Sequence, residues 1–142
     1  MNPTSEPLEE SSAEESAIAG NADVVRARQA VRALAQQAEL SLVDQTKLVT
    51  AASELARNTL SYGGGGTMRV SIVSRGGRRG VRVAFRDDGP GIPDLELALT
   101  DGWSSGRGMG LGLSGAKRLA DEFELESAPG RGTTVVVVKW AR

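Results

Sequence analysis

A chain of 142 residues has the size of one ordinary domain and can bury a sizeable core without staples. It contains neither cysteine nor histidine, which excludes disulfides, thiolate chemistry, histidine-ligated zinc, a Ser-His-Asp triad and phosphorylation of a histidine within this chain. General-base work therefore falls to a carboxylate, or less often to Lys or Tyr. Charge is nearly balanced at 17 basic against 18 acidic residues. The first 22 residues, however, carry five glutamates and no base, leaving 13 acids against 17 bases in the rest. That modest excess suits a polyphosphate ligand or an acidic protein partner. Aromatics are scarce and no basic block is interleaved with them, so nucleic acid is not the expected partner.

No apolar run reaches membrane-spanning length, and the N-terminus lacks the basic-then-apolar order of a signal peptide. The expectation is a cytoplasmic protein with no membrane association. Residues 1–22, rich in Ser, Glu, Ala and Pro, read as a disordered acidic tail, with Ser16 to Ala19 as a candidate short edge strand. The remainder, 23–142, reads as one domain. Asn21 or Asp23 can cap a helix over 24–38, in which Val24, Ala27, Val31, Leu34, Ala35 and Ala38 recur at helical spacing. Arg26, Arg28 and Arg32 line its other side, as a solvated face or a docking face for a partner.

Ser41-Leu-Val-Asp44 has the form of a capping box with Asp in place of Glu. It opens a second helix, to about Leu60, with Leu48, Val49, Ala52, Leu55, Ala56 and Thr59 as its apolar stripe. Glu54 and Asn58 lie four residues apart and project together beside that stripe. They are either an exposed polar pair or the wall of a pocket between helix and sheet. Gly63 to Gly66 read as a flexible turn. Met68 to Val73 and Val81 to Phe85 alternate apolar and polar residues, as two strands of an antiparallel hairpin joined by Ser74 to Gly80.

Two glycine clusters follow. The first, Asp87-Asp-Gly-Pro-Gly91, stands directly after the second strand; the second, Gly106-Arg-Gly-Met-Gly-Leu-Gly-Leu113, runs into a third helix carrying Leu113, Ala116, Leu119, Ala120 and Phe123. Between them, a short helical turn is expected from Pro93 or Asp94 to Leu99, then a loop through Arg107. Glu124 to Ser127 and Thr133 to Trp140 read as strands around the turn Pro129-Gly-Arg-Gly132. Glycine lets backbone approach a ligand, and a helix start offers unpaired N–H groups to an anion. The clusters thus suggest a nucleotide pocket, with a carboxylate for the base and glycines for the phosphates. The element order fits a two-layer α/β sandwich, with helices on one face of a mixed, mostly antiparallel sheet.

Gly110-Leu-Gly-Leu-Ser-Gly115 satisfies G-x-G-x-x-G, but no strand precedes it, so a Rossmann site is rejected. A P-loop fails because Lys117 is followed by Arg118, and the H-R-D and D-F-G runs of eukaryotic-type kinases are missing. Four short boxes together match one family. Glu54-Leu-Ala-Arg-Asn58 resembles the N box of the GHKL superfamily of ATP-binding proteins, Asp87-Asp-Gly-Pro-Gly91 its D-x-G-x-G box, Gly108-Met-Gly-Leu-Gly112 its second glycine box and Gly130-Arg-Gly-Thr-Thr134 its closing G-x-G-T turn. The small size, the short lid and the missing histidine region resemble the anti-sigma-factor serine kinases, and within them the kinases of stressosome switch proteins.

The resemblance covers roughly residues 23–142 and implies a Bergerat-type ATP-binding fold and a protein serine/threonine kinase using ATP and Mg²⁺. It implies that Asp87 accepts a hydrogen bond from the adenine amino group, with Gly89, Gly91 and Thr133 beside the base. Asn58 would be the Mg²⁺ ligand and Glu54 the general base. Gly108, Gly110, Leu111 and Gly112 would meet the phosphates. Arg107 would neutralise charge on the γ-phosphate, against the alternative of a plain solvated arginine. Trp103 and Met109 are read as lid packing rather than as a partner contact. The implied partner is a STAS-domain protein substrate, with a PP2C-type phosphatase as a second target. The alternatives are an anti-sigma factor that sequesters a sigma factor, or the ATP-binding module of a histidine-kinase-like protein.

Overall fold

Alternating apolar residues in the strands and a helical apolar period turn one side of each element inward, and the two sets meet as the layers of an α/β sandwich. The structure, a computed structural model, describes residues 7–92, 99 and 111–142. In chain order its elements are β1 (Glu9–Ile18), α1 (Asn21–Gln37), α2 (Leu42–Ser61), β2 (Gly66–Arg75), β3 (Arg78–Asp87), α3 (Leu111–Leu119), β4 (Glu122–Ser127) and β5 (Thr133–Trp140). The strands form one sheet in the order β1-β2-β3-β5-β4. The expected short turn from Pro93 to Leu99, the loop to Arg107 and Met109 lie outside the described residues, apart from Leu99.

The sheet expected to be mixed but mostly antiparallel is antiparallel at every strand pairing. The chain leaves β3 at the Asp87 end and comes back to that end along β4. β5 then inserts between the two, so β4 never pairs with the strand it runs parallel to. The acidic tail is also corrected. Residues 9–18 form a ten-residue edge strand, and helix α1 already begins at Asn21. Sparse hydrophobicity is compensated by cross-strand polar pairing. Glu10 takes hydrogen bonds from Arg69 and from Ser71 (2.7 Å) on β2, and Ile18 at the strand's end is buried in the core. The Arg69 and Ser71 bonds hold the Glu10 carboxyl below its ordinary range.

Val24, Ala27, Val31, Leu34 and Ala35 of α1 are buried as their spacing predicts, with Leu48, Val49, Ala52, Leu55 and Ala56 of α2 and Leu113 and Ala116 of α3. They pack on Met68, Val70, Ile72, Val81, Val83, Phe85, Val135 and Val137 from the inner face of the sheet. A smaller cluster, Val73, Val138 and Trp140, lies on the outer face under Arg75, whose guanidinium stands 5.4 Å from the Trp140 ring centroid.

Asp23 accepts from the N–H groups of Ala19 and Gly20 at 2.8 and 3.1 Å and so ties down the start of α1. Ser41 caps α2, accepting from Asp44 N–H at 3.1 Å. The Asp44 side chain does not complete a capping box. It turns instead to Lys139 (3.7 Å) and Arg142 (3.4 Å), which also meet Asp121 at 3.3 and 2.6 Å. Asp121 further accepts from Trp140 N–H at 2.8 Å. This charged clamp fastens the C-terminus to the start of α2, at the end of the sheet remote from Asp87. Among the described residues no helix is long and apolar enough to cross a membrane.

Candidate nucleotide site

The strand register sets one row of residues across the full sheet: Ile18, Gly66, Asp87, Thr133 and Ser127, from β1 to β4. Its centre is Asp87, buried at the end of β3 with 8% of its surface exposed. Its carboxylate accepts from the N–H of Gly89 at 2.9 Å and from that of Thr133. Burial pushes the Asp87 carboxyl above the usual carboxylate range; the Gly89 and Thr133 N–H groups offset part of that, and neighbouring Asp88 adds to it. A buried carboxylate met by backbone N–H groups rather than by a cation keeps lone pairs for a neutral donor.

The four-glycine run is part of this corner and not a mere connector. At Gly63 an added Cβ would stand 2.3 Å from the Asp87 Cγ, so only glycine lets the chain pass the carboxylate. At Gly132 φ is +74°, and a Cβ would lie 2.1 Å from the carbonyl oxygen of Asp87. Gly91 is buried, and its carbonyl accepts from the Tyr62 hydroxyl at 3.4 Å. Gly130 N–H donates to the Pro90 carbonyl at 2.8 Å, which ties the turn before β5 to the first glycine cluster.

Helix α2 reaches the same corner. The Asn58 carbonyl accepts from Tyr62 and Gly63 N–H at 2.9 and 3.1 Å, so its last turn ends against Asp87. Asn58 and Glu54 are half-buried on that helix, one turn apart. Glu54 pairs with Arg57 at 2.9 Å on the solvent side. Helix α3 packs on α2 and begins at Leu111, immediately after Gly110. Gly112 lies in its first turn, whereas Arg107, Gly108 and Gly110 lie outside the described residues.

Thus Glu54, Asn58, Asp87, Gly89, Gly91 and Thr133 belong to one end of the sandwich. Ser127, Gly63 and Tyr62 join them without having been singled out in the sequence. Ser127 was legible in retrospect: a five-residue turn, Ala128 to Gly132, puts it opposite Thr133. A cleft of about 300 Å³ opens beside this pair, with Arg131 and Gly132 also in its wall.

Comparison with known proteins places these features in a family. Residues 43–141 match the family described as histidine kinase-, DNA gyrase B-, and HSP90-like ATPase. The chain is 44% identical over 120 residues to the serine/threonine-protein kinase RsbT of Bacillus subtilis, covering 84% of this chain and 90% of that one. It is 29% identical to the anti-sigma F factor of a Thermoanaerobacter species, over 80% of this chain and 82% of that one. In fold, it is similar to the solved RsbU and RsbW domains of a Mycobacterium tuberculosis protein, with a TM-score of 0.59 at 20% identity, covering 96% of this chain and a third (33%) of that one.

Proposed function

The chain belongs to the histidine kinase-, DNA gyrase B- and HSP90-like ATPase family and is a serine/threonine-protein kinase, and from that premise we propose that it transfers the γ-phosphate of Mg-ATP to a hydroxyl on a small STAS-domain protein, as a partner-switching regulator. What supports the site is the course of α2, which carries Glu54 and Asn58 and ends against the buried carboxylate of Asp87.

In this proposal Asp87 accepts from the 6-amino group of adenine, with Gly89, Gly91 and Thr133 around the base. Asn58 offers a neutral oxygen to Mg²⁺. Among the described residues no group of three or more carboxylates could hold a metal unaided. That donor set fits a cation that takes most of its shell from phosphate and water. Bound there, Mg²⁺ would neutralise charge on the phosphates. Glu54 takes the proton of the incoming serine or threonine hydroxyl, turning from Arg57 to do so. The N–H groups of Gly108, Gly110, Leu111 and Gly112, around the start of α3, meet the phosphates, and Arg107 balances charge on the transferred group. Released from its substrate protein, the kinase would then activate a PP2C-type phosphatase.

The likeness to anti-sigma F factors favours a second reading, in which the chain sequesters a sigma factor and uses ATP to change partners. Labelled ATP and a purified STAS-domain protein from the same organism test the first reading, with phosphoserine or phosphothreonine on that protein as the expected product. Capture of a sigma factor by the full chain, with no transfer to the STAS protein, would favour the second.

A further inference from the structure

Ser127 carries three hydrogen bonds on one oxygen. It accepts from Ile92 N–H at 2.7 Å, contacts the Gly132 carbonyl at 2.9 Å and contacts the Thr133 hydroxyl at 2.8 Å. A hydroxyl has one hydrogen and two lone pairs. The Gly132 carbonyl can only accept, so the Ser127 hydrogen is committed to it. Ile92 N–H can only donate, which uses one lone pair. The contact with Thr133 is therefore satisfied in one way: Thr133 donates its hydrogen to the second lone pair. All three partners are accounted for, and the assignment is unique.

The consequence lies at Thr133, the cross-strand neighbour of both Ser127 and Asp87. Its only hydroxyl hydrogen is held by Ser127, so its Oγ1 presents lone pairs alone to a ligand. The Asp87 carboxylate likewise presents lone pairs. We propose that Ser127 is a positioning residue that fixes Thr133 as an acceptor, and that this second acceptor beside Asp87 selects a purine with a 6-amino group over one with a 6-oxo group. The inference rests on the reading of the Asp87 corner as the base site. In direct contact, the 6-amino group of such a purine brings hydrogens to these two acceptors. A 6-oxo purine sets the lone pairs of its 6-oxygen against theirs, its edge hydrogen lying on N1 instead, and a locked Thr133 cannot turn to donate to that oxygen.

Ser127→Ala removes the oxygen that holds the Thr133 hydrogen. Thr133 can then donate, and the penalty on a 6-oxo purine falls. The experiment is titration of the full chain with adenosine diphosphate and inosine diphosphate, in parent, Ser127→Ala, Ser127→Thr and Thr133→Val. Site-built polar discrimination of this kind is worth roughly tenfold or more. The adenosine-to-inosine affinity ratio is expected to fall roughly tenfold in Ser127→Ala and to return in Ser127→Thr, which keeps the hydroxyl. In a Thr133→Val background the Ser127→Ala substitution should no longer change the ratio, because the two residues act as one unit. A purely structural role for Ser127 would weaken both nucleotides equally and leave the ratio at its parental value, and that result overturns the proposal. Asp87→Asn separates the two levels. If it abolishes the adenosine preference while Ser127→Ala leaves the ratio alone, the base site stands and the role of Ser127 fails. If Asp87→Asn leaves the preference intact, the base site itself is wrong.

Discussion

The two ends of the sheet hold carboxylates in opposite ways. At the clamp end, Asp44 and Asp121 face Lys139 and Arg142. At the other end, Asp87 is held by the N–H groups of Gly89 and Thr133, and the described residues supply it no ion pair. Desolvation acts on both Asp121 and Asp87. At Asp121 it is outweighed by the Trp140 N–H bond and the Lys139 and Arg142 charges, so that carboxyl lies below its usual range; at Asp87 desolvation wins and the carboxyl lies above it. The satisfied carboxylate fastens the fold, whereas the under-satisfied one is, in the proposed site, the acceptor for a ligand. Helix α2 joins the two, with Asp44 in its first turn and Asn58 in its last.

The largest expected effect of breaking this contrast is at the clamp. Lys139→Met removes a nearly buried cation from two carboxylates. Breaking a buried pair costs about 3–5 kcal/mol; because Arg142 remains, about 2–3 kcal/mol is expected here. Denaturant unfolding should report that loss, with adenosine diphosphate affinity unchanged at temperatures where the variant is folded. Asp87→Asn should do the reverse. It removes a charged acceptor worth about 1.5–3 kcal/mol to a bound donor, so calorimetry should show nucleotide affinity falling at least tenfold (about 1.4 kcal/mol). A fold as stable as the parent would complete the contrast.

How much of this the sequence disclosed depends on the kind of signal. Helices α1 and α2 and strand β5 were legible because their apolar periods are long and uninterrupted. Strand β1 was legible only at its end, where Ser16 to Ala19 read as a short edge strand, since Glu10, Glu14 and Glu15 carry the marks of a solvated tail and are paired only by residues some sixty positions away, such as Arg69 and Ser71. At the site, Asp87 and the glycines formed a recognisable box. Ser127 and Gly63 did not, because one hydroxyl in a strand and one glycine among four become informative only when the register sets them against Thr133 and Asp87.

Acid should separate the two ends without mutation. Asp87 binds its proton more tightly folded than unfolded, so its ionised form is lost as pH falls through a value above the ordinary carboxylate value of about 3.9. Nucleotide affinity should begin to fall there. The unliganded fold does not weaken from Asp87 in that window; the sign of the linkage makes protonation of this group favour the folded state. Asp121, held low, contributes stability above about 3.9 that is lost only as pH falls further, through its folded value. Titrations and thermal melts across pH 3–7 should therefore show affinity failing before the fold does.

A smaller effect sharpens the same division. Glu39, just after α1, has φ of +63°, a conformation that glycine adopts freely. Glu39→Gly is expected to stabilise the fold by about 0.5–1 kcal/mol, seen as a raised melting temperature, and to leave nucleotide affinity within twofold (about 0.4 kcal/mol).

In the proposed mechanism, the helix ending against Asp87 also carries the group that makes the site a kinase. The most direct test is single-turnover transfer of labelled γ-phosphate to the substrate protein, measured with ATP affinity on the same samples of parent and Glu54→Gln. Affinity within a few-fold of the parent is expected, with transfer slowed about 10²–10⁴-fold, the usual worth of a positioned general base. Transfer at the parental rate from Glu54→Gln would contradict this mechanism.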